Sequence, residues 1–202
     1  MVDYSIENEY REKGFDVICG VDEAGRGPLA GPVYAAAVIL PSDCVIEGLN
    51  DSKKLTEKKR EALFDEIKEK ALAYGIASAD EKEIDEINIL NATFLAMKRA
   101  IASLSVRPDL ALIDGNQKPH TDIEEVTVIK GDAKSMSIAA ASVLAKVSRD
   151  RFMLEMAEKY PQYEFARHKG YGTKLHYEKI AQYGVCDIHR RTFLKKILGE
   201  QK

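Results

Sequence analysis

The chain of 202 residues is 45% hydrophobic and 31% charged, with a formal net charge of −3. That balance excludes a disordered polyelectrolyte, and it supplies no global positive field for non-specific nucleic-acid binding. The three cysteines, Cys19, Cys44 and Cys186, form no C-x-x-C pair, and no apolar run is long enough to span a bilayer. These features argue against a cysteine zinc site, a disulfide framework and a bilayer-spanning segment.

In chain order, Met1 to Lys13 is charged, lacks an apolar signal region, and reads as a short helix or lead-in. Phe15 to Val21 reads as a buried strand, and Val33 to Leu40 as a second, ended by Pro41. Thr56 is a good N-cap for a helix through about Leu72, with Leu63, Ile67 and Ala71 on one face. Tyr74 to Ala79 fits a short strand. Asp80 followed by Glu83 forms a capping box for a helix that continues to Leu104, with a break near Asn88 to Asn91. Leu110 to Ile113 and Glu125 to Ile129 are two more strands. A long helix is predicted from Ser135 to Lys159, stopped by Pro161. The segment Phe165 to Thr173 reads as a loop, followed by helices over Lys174 to Tyr183 and Thr192 to Leu198. Alternating strands and helices with a helical tail predict an α/β domain with a mixed sheet. One domain is expected, with a core over about 15–160 and a helical appendage over about 161–202.

The pattern that organises the chain is a set of acids near strand ends. Asp22 and Glu23 follow the first apolar strand, Asp114 follows the fourth, and Asp132 lies just beyond the fifth. Ligands in open α/β sheets gather beyond the strand ends. One strand-end aspartate is an ordinary turn former. Four such acids, two of them adjacent, are not accounted for that way, because neighbouring buried carboxylates repel. Oxygen donors without clustered histidine or cysteine favour Mg²⁺ or Mn²⁺ over zinc. Such a set can hold two ions about 3.5–4 Å apart, the separation used in phosphoryl chemistry.

The turn Gly25-Arg26-Gly27-Pro28 superficially resembles a dinucleotide fingerprint. It runs into a strand instead of a helix, so it offers no helix N-terminus to a pyrophosphate. It does expose backbone, which can test for a 2′-hydroxyl, although spacing alone equally fits a plain turn with a solvated arginine. Asp51-Ser52-Lys53-Lys54-Leu55-Thr56 places lysines and hydroxyls ahead of a helix, a site for anions or simply a solvated loop. His168-Lys169-Gly170-Tyr171-Gly172 combines a base, a flexible backbone and an aromatic able to stack on a sugar or base. Ser137 and Ser142 read as packing residues, since neither has a histidine base in a matching motif.

These segments together resemble the bacterial ribonuclease HII family. The resemblance runs in order through Val21 to Pro32, Asp51 to Thr56, Leu112 to Asn116, Lys130 to Ser135, Ile138 to Asp150, His168 to Thr173 and His189 to Phe193. It implies a ribonuclease H-like fold, a mixed five-stranded sheet flanked by helices with a C-terminal helical extension. It also implies a metal-dependent endoribonuclease that acts on RNA/DNA hybrids and on DNA duplexes containing single ribonucleotides, leaving 3′-hydroxyl and 5′-phosphate ends. On this resemblance Asp22, Glu23, Asp114 and Asp132 are the metal-binding catalytic acids. Asp22 would bridge two Mg²⁺ or Mn²⁺ ions, Glu23 and Asp114 would help hold one, and Asp132 the other. Gly25, Arg26 and Gly27 would read the 2′-hydroxyl, Tyr171 would sense the RNA-to-DNA junction, and Lys53 and Lys169 would touch phosphates. The short segment before Val17 and the aspartate at 132 favour HII over its sister, ribonuclease HIII. The stretch Gly184 to Ile188 lacks a proline that members often carry there. A cytoplasmic monomer is expected, with no recognisable sliding-clamp motif in Leu194 to Lys202. The rival readings are another ribonuclease H-fold phosphotransferase, such as a junction resolvase, and a non-catalytic nucleic-acid module. The four intact acids argue against the module.

Overall fold

The computed structural model describes residues 2–199; the end of the stretch read for a clamp motif, 200–202, lies outside the described residues. The strands are β1 (Ile18–Ala24), β2 (Val33–Ile39), β3 (Ala73–Ala79), β4 (Leu110–Asp114) and β5 (Glu124–Val128). They form one sheet in the order β3-β2-β1-β4-β5. β1–β2 and β2–β3 pair antiparallel, while β1–β4 and β4–β5 pair parallel, so the expected mixed sheet is present. The helices are α1 (Ser5–Glu12), α2 (Glu57–Lys70), α3 (Glu81–Ala102), α4 (Met136–Lys159), α5 (Phe165–His168), α6 (Lys174–Tyr183) and α7 (Arg191–Leu198). No helix among the described residues is long and apolar enough to cross a membrane.

The pleat sorts the strand residues between two layers. Cys19, Val21, Ala35, Ala37 and Ile113 point to one face, where they pack with Ala92, Ala96, Met97 and Ala100 of α3. Ala36 and Val38 point to the other, against Leu63, Phe64 and Ile67 of α2 and Ala139, Ala140, Val143 and Leu144 of α4. The small residues of α4 allow it to lie close to the sheet. At Gly20 the approach is so tight that a Cβ would overlap the backbone of Ser137 and Ile138.

Local signals place most boundaries. Thr56 accepts a hydrogen bond from the Lys59 amide, Asp80 and Glu83 form a complete capping box, and Ser135 caps α4 through the Ile138 amide. The break in α3 falls at Asn88, which adopts φ +67° while its Oδ1 accepts from the amides of Leu90 and Asn91. Asparagine tolerates this left-handed geometry because its short side chain bonds locally.

Three expectations need correction. β1 continues through Ala24 instead of ending at Val21, because β2 runs alongside and pairs Asp22 with Ala36 and Glu23 with Ala35. α3 ends at Ala102, with Ser103 as its C-cap, short of Leu104. Phe165 to His168 forms the one-turn helix α5 within the predicted loop; buried Phe165 and His168 anchor it in the core.

Candidate active site

Strand register brings the first two acids together. Val21 lies opposite Ile113 in the parallel β1–β4 pair, so the next residues along, Asp22 and Asp114, emerge side by side. Both carry the parity that faces α4. The third acid, Asp132, sits in the single 3₁₀ turn Gly131–Ala133 that follows β5 and precedes α4. Lys130 enters this turn at φ +57°, and the Gly131 amide donates to Asp114 Oδ1 at 2.6 Å, tying the two acidic segments together. Asp22, Asp114 and Asp132 each offer a carboxylate oxygen, all within 4.8 Å of one another.

The electrostatics of this cluster are unfavourable without a cation. Burial, then the charges of Glu23 and Asp114, hold the Asp22 carboxyl well above the usual carboxylate range. Asp132 is raised by burial and by the charges of Asp114 and Asp51, against the pull of Lys53, whose Nζ lies 3.8 Å from Asp132 Oδ2. Three convergent oxygens that repel one another suit a hard divalent cation, which would replace repulsion with coordination.

Glu23 takes a different position from the one its adjacency to Asp22 suggests. Successive strand residues face opposite sides of a sheet, so Glu23 points to the α3 side. It lies outside the three-oxygen cluster and pairs with Arg26 at 3.5 Å. Burial raises its carboxyl against the opposing pull of Arg26, and the charge of Asp114 adds to the rise. Glu23 and Asp114 also line a small recess beside α3.

A cavity of about 240 Å³ joins Asp22 and Glu23 to most of the expected recognition residues. It is lined by Asp22, Glu23, the turn Ala24 to Gly27, Ser52, Lys53, Ser142, Lys146 and Tyr171. Tyr171 is 43% exposed, and its Cε1 lies 3.9 Å from where a Cβ on Gly27 would stand. Lys146 and Ser142 were not anticipated as site residues. The Ser142 hydroxyl donates to Ser52 Oγ at 2.7 Å, and Lys146 Nζ donates to Asp150 Oδ1 at 2.6 Å. Their spacing of four along α4 was the available signal. Lys169 does not line the cavity; its amine donates to the Ala166 carbonyl at 2.6 Å.

Two buried arginines, also missed from the sequence, hold the glycine turn from behind. Arg190 donates to the carbonyls of Gly25, Arg26 and Gly31 at 2.6, 2.9 and 2.8 Å. Arg149 donates to the carbonyls of Ala30, Pro32 and Lys169 at 3.0, 3.1 and 3.0 Å. Burial and the neighbouring Arg149 charge pull Arg190 down to about 9, which leaves it cationic at neutral pH. The turn is thus a rigid object whose carbonyls are bound from within the protein. The loop expected to be flexible is equally fixed. His168 is buried, with Nε2 2.9 Å from the Tyr163 carbonyl, and it is no free base. The Gly170 carbonyl accepts from the Leu29 amide at 2.8 Å. The Gly184 to Ile188 segment packs without its proline: Gly184 accepts from the Tyr163 hydroxyl, and Ile188 from the Gly31 amide.

Comparison with known proteins agrees with this architecture. The family model described as Ribonuclease HII matches residues 19–196. Ribonuclease HII of Caldicellulosiruptor bescii is 58% identical over 196 residues, covering 97% of this chain and 95% of the relative. The crystal structure of the ribonuclease H2 from Pyrococcus horikoshii OT3 superposes with a TM-score of 0.75 at 29% identity, covering 92% of this chain and 97% of that one. The ribonuclease HII of Archaeoglobus fulgidus, solved in complex with PCNA, gives a TM-score of 0.67 at 26% identity over 87% of this chain and 94% of its own. A sequence match spanning the sheet, the acids and the C-terminal helices, together with the shared fold, shows that the chain belongs to the ribonuclease HII family.

Proposed function

We propose that this nuclease hydrolyses the RNA strand of RNA/DNA hybrids and cuts 5′ of single ribonucleotides embedded in duplex DNA, leaving 3′-hydroxyl and 5′-phosphate ends. The observation that carries this reading is a single cavity holding the carboxylates of Asp22 and Glu23, the Gly25-Arg26-Gly27 turn and the exposed Tyr171 ring. Asp114 and Asp132 complete the acidic side through their oxygens beside Asp22.

Asp22, Asp114 and Asp132 would hold Mg²⁺ or Mn²⁺, with Glu23 assisting from the α3 side. When bound, such ions supply an activated water and stabilise the leaving 3′-oxygen. The protein's own part is placement. The turn sets backbone groups beside the sugar that carries the 2′-hydroxyl, and Tyr171 stacks where RNA gives way to DNA. Lys53 meets a phosphate near the acids, and Lys169 meets one farther along the duplex. We read residues 2–199 as one catalytic domain whose helices beyond Lys159 complete the substrate surface, acting as a cytoplasmic monomer.

The test is cleavage of a duplex carrying one ribonucleotide, with Mg²⁺, by Asp22→Asn and Asp132→Asn. Each variant should lose at least about a hundredfold in rate. Near-normal rates would overturn the acid assignment. Cleavage of branched all-DNA substrates would instead support a resolvase-like activity.

A further inference from the structure

Three of the four histidines in the chain, His168, His176 and His189, are buried together in the C-terminal helical segment. The rings of His168 and His176 stack at 4.3 Å, and those of His176 and His189 stand 5.2 Å apart. Among the described residues, none of the ring nitrogens of His176 or His189 is paired with a carboxylate.

The hydrogen bonds determine where each proton resides. The Cys186 amide donates to His189 Nδ1 at 2.9 Å, so the His189 proton sits on Nε2. That Nε2 lies 3.1 Å from His176 Nε2, which must therefore accept. The remaining proton of His176 then sits on Nδ1, 3.0 Å from the Tyr171 carbonyl, and is donated to it. A neutral imidazole has one donor and one acceptor nitrogen, so this arrangement satisfies these three contacts, and the Cys186 Sγ, 3.2 Å from His189 Nδ1, faces the acceptor nitrogen. Burial favours the neutral rings, pulling His176 and His189 each down to about 4. The Gly170 amide likewise donates to His168 Nδ1 at 3.2 Å, leaving His168 Nε2–H to donate to Tyr163.

The far end of this chain is what gives it a purpose. Tyr171 sits between Gly170 and Gly172, which have no side chains to pack against it. Its amide donates to the His168 carbonyl at 2.8 Å, and its carbonyl receives the Thr173 amide at 2.8 Å as well as the His176 ring. The peptide carrying the exposed ring is therefore oriented by histidines on both sides.

We propose that His189 and His176 are positioning residues for substrate selection, a two-ring relay that links the 186–189 loop to the Tyr171 backbone and sets its ring at the mouth of the acidic cavity. This rests on the reading of Tyr171 as the residue that senses the RNA-to-DNA junction. The relay acts through orientation only, so it should govern cleavage at a single ribonucleotide, where junction sensing matters, more than cleavage within a long hybrid.

The substitutions can separate the two ends of the ring. His176→Asn keeps an amide donor near the Nδ1 position and so keeps the hold on Tyr171. His176→Gln places its amide near Nε2 and loses that hold. For His176→Gln, the ratio of kcat/KM on a single-ribonucleotide duplex to that on a long hybrid should fall about tenfold, the worth of one buried hydrogen bond. For His176→Asn it should stay within about twofold of wild type. Tyr171→Ala, measured alongside, should lower the same ratio. If it does and His176→Gln does not, the relay proposal is overturned while the Tyr171 reading stands. If Tyr171→Ala leaves the ratio unchanged, the Tyr171 reading fails and takes the relay with it. Equal loss on both substrates for His176→Gln makes the histidines structural only and also overturns it. The ¹⁵N spectrum of the unmutated protein gives an independent readout: His176 should be the Nδ1–H tautomer and His189 the Nε2–H tautomer. The reverse at His176 would break the chain of donors.

Discussion

Arg190 Nη2 donates to the carbonyl of Gly25 at 2.6 Å, joining residues 165 positions apart in the sequence. One guanidinium thereby fixes the turn beside the acids to the last helical segment. Three donors of the planar fork are used on three carbonyls, a geometry that an ammonium group cannot reproduce.

Arg190→Lys should therefore be far from conservative. Leaving carbonyls of Gly25, Arg26 or Gly31 unpaired costs about 1–3 kcal/mol, which corresponds to a melting-temperature fall of several degrees for a chain of this size. Cleavage at a single ribonucleotide should drop further than the stability loss explains, because the turn itself shifts. Thermal melts and steady-state rates on the same preparation test this; an unchanged rate in a folded variant would contradict it.

The two glycines of the turn should respond differently to alanine. Gly25 has φ +99°, and a Cβ there would overlap Arg149 Nε, so Gly25→Ala strains the backbone and displaces a buried arginine. At Gly27 the nearest atom to a new Cβ is Tyr171 Cε1 at 3.9 Å, an ordinary contact. Gly25→Ala should lose roughly 2–4 kcal/mol of stability. Gly27→Ala should melt like wild type and fail selectively in substrate binding, measured as a raised Kd for a ribonucleotide-containing duplex.

Asp22→Asn should raise the stability of the metal-free protein while abolishing its activity. The folded carboxyl is held above its ordinary range by burial and by Glu23 and Asp114. The folded state therefore binds the proton more tightly than the unfolded chain does. That contribution is fully present below the unfolded pKa and is lost as pH rises through the folded one. Wherever the carboxylate is ionised its buried charge is a burden on the fold, and asparagine removes that charge. Added Mg²⁺ should raise the melting temperature of wild type, by mass action, more than that of the variant.

The histidine relay predicts an opposite dependence. His176 and His189 fall from an ordinary 6.5 to about 4 in the fold, so the unfolded chain binds their protons more readily. Their neutral contribution is intact above pH 6.5 and is lost as pH falls towards 4. Relative to His176→Asn, wild type should lose on the order of 3 kcal/mol across that window. Melts of both proteins between pH 7 and pH 4 measure the difference, and parallel curves would contradict it.

Much of the architecture is legible along the chain because its causes are local. Thr56, Asp80 with Glu83, and Ser135 announce helix starts through their own side chains, and Asn88 announces the break in α3. The apolar runs mark the strands, and the acids that close or follow them mark the edge where Asp22, Asp114 and Asp132 converge. Asp22 and Glu23 are neighbours in the sequence, and the pleat sends Asp22 towards α4 and Glu23 towards α3. Nothing beside Arg149 or Arg190 in the sequence marks either as buried. They are buried because carbonyls from the 25–32 turn, far away along the chain, accept five hydrogen bonds from them. The sequence by itself determined the strands and the helix caps, since those depend on neighbours within a few residues. Tertiary structure alone decided which acids share a face, which charges are buried and which tautomer each histidine keeps, because those depend on partners supplied from far along the chain.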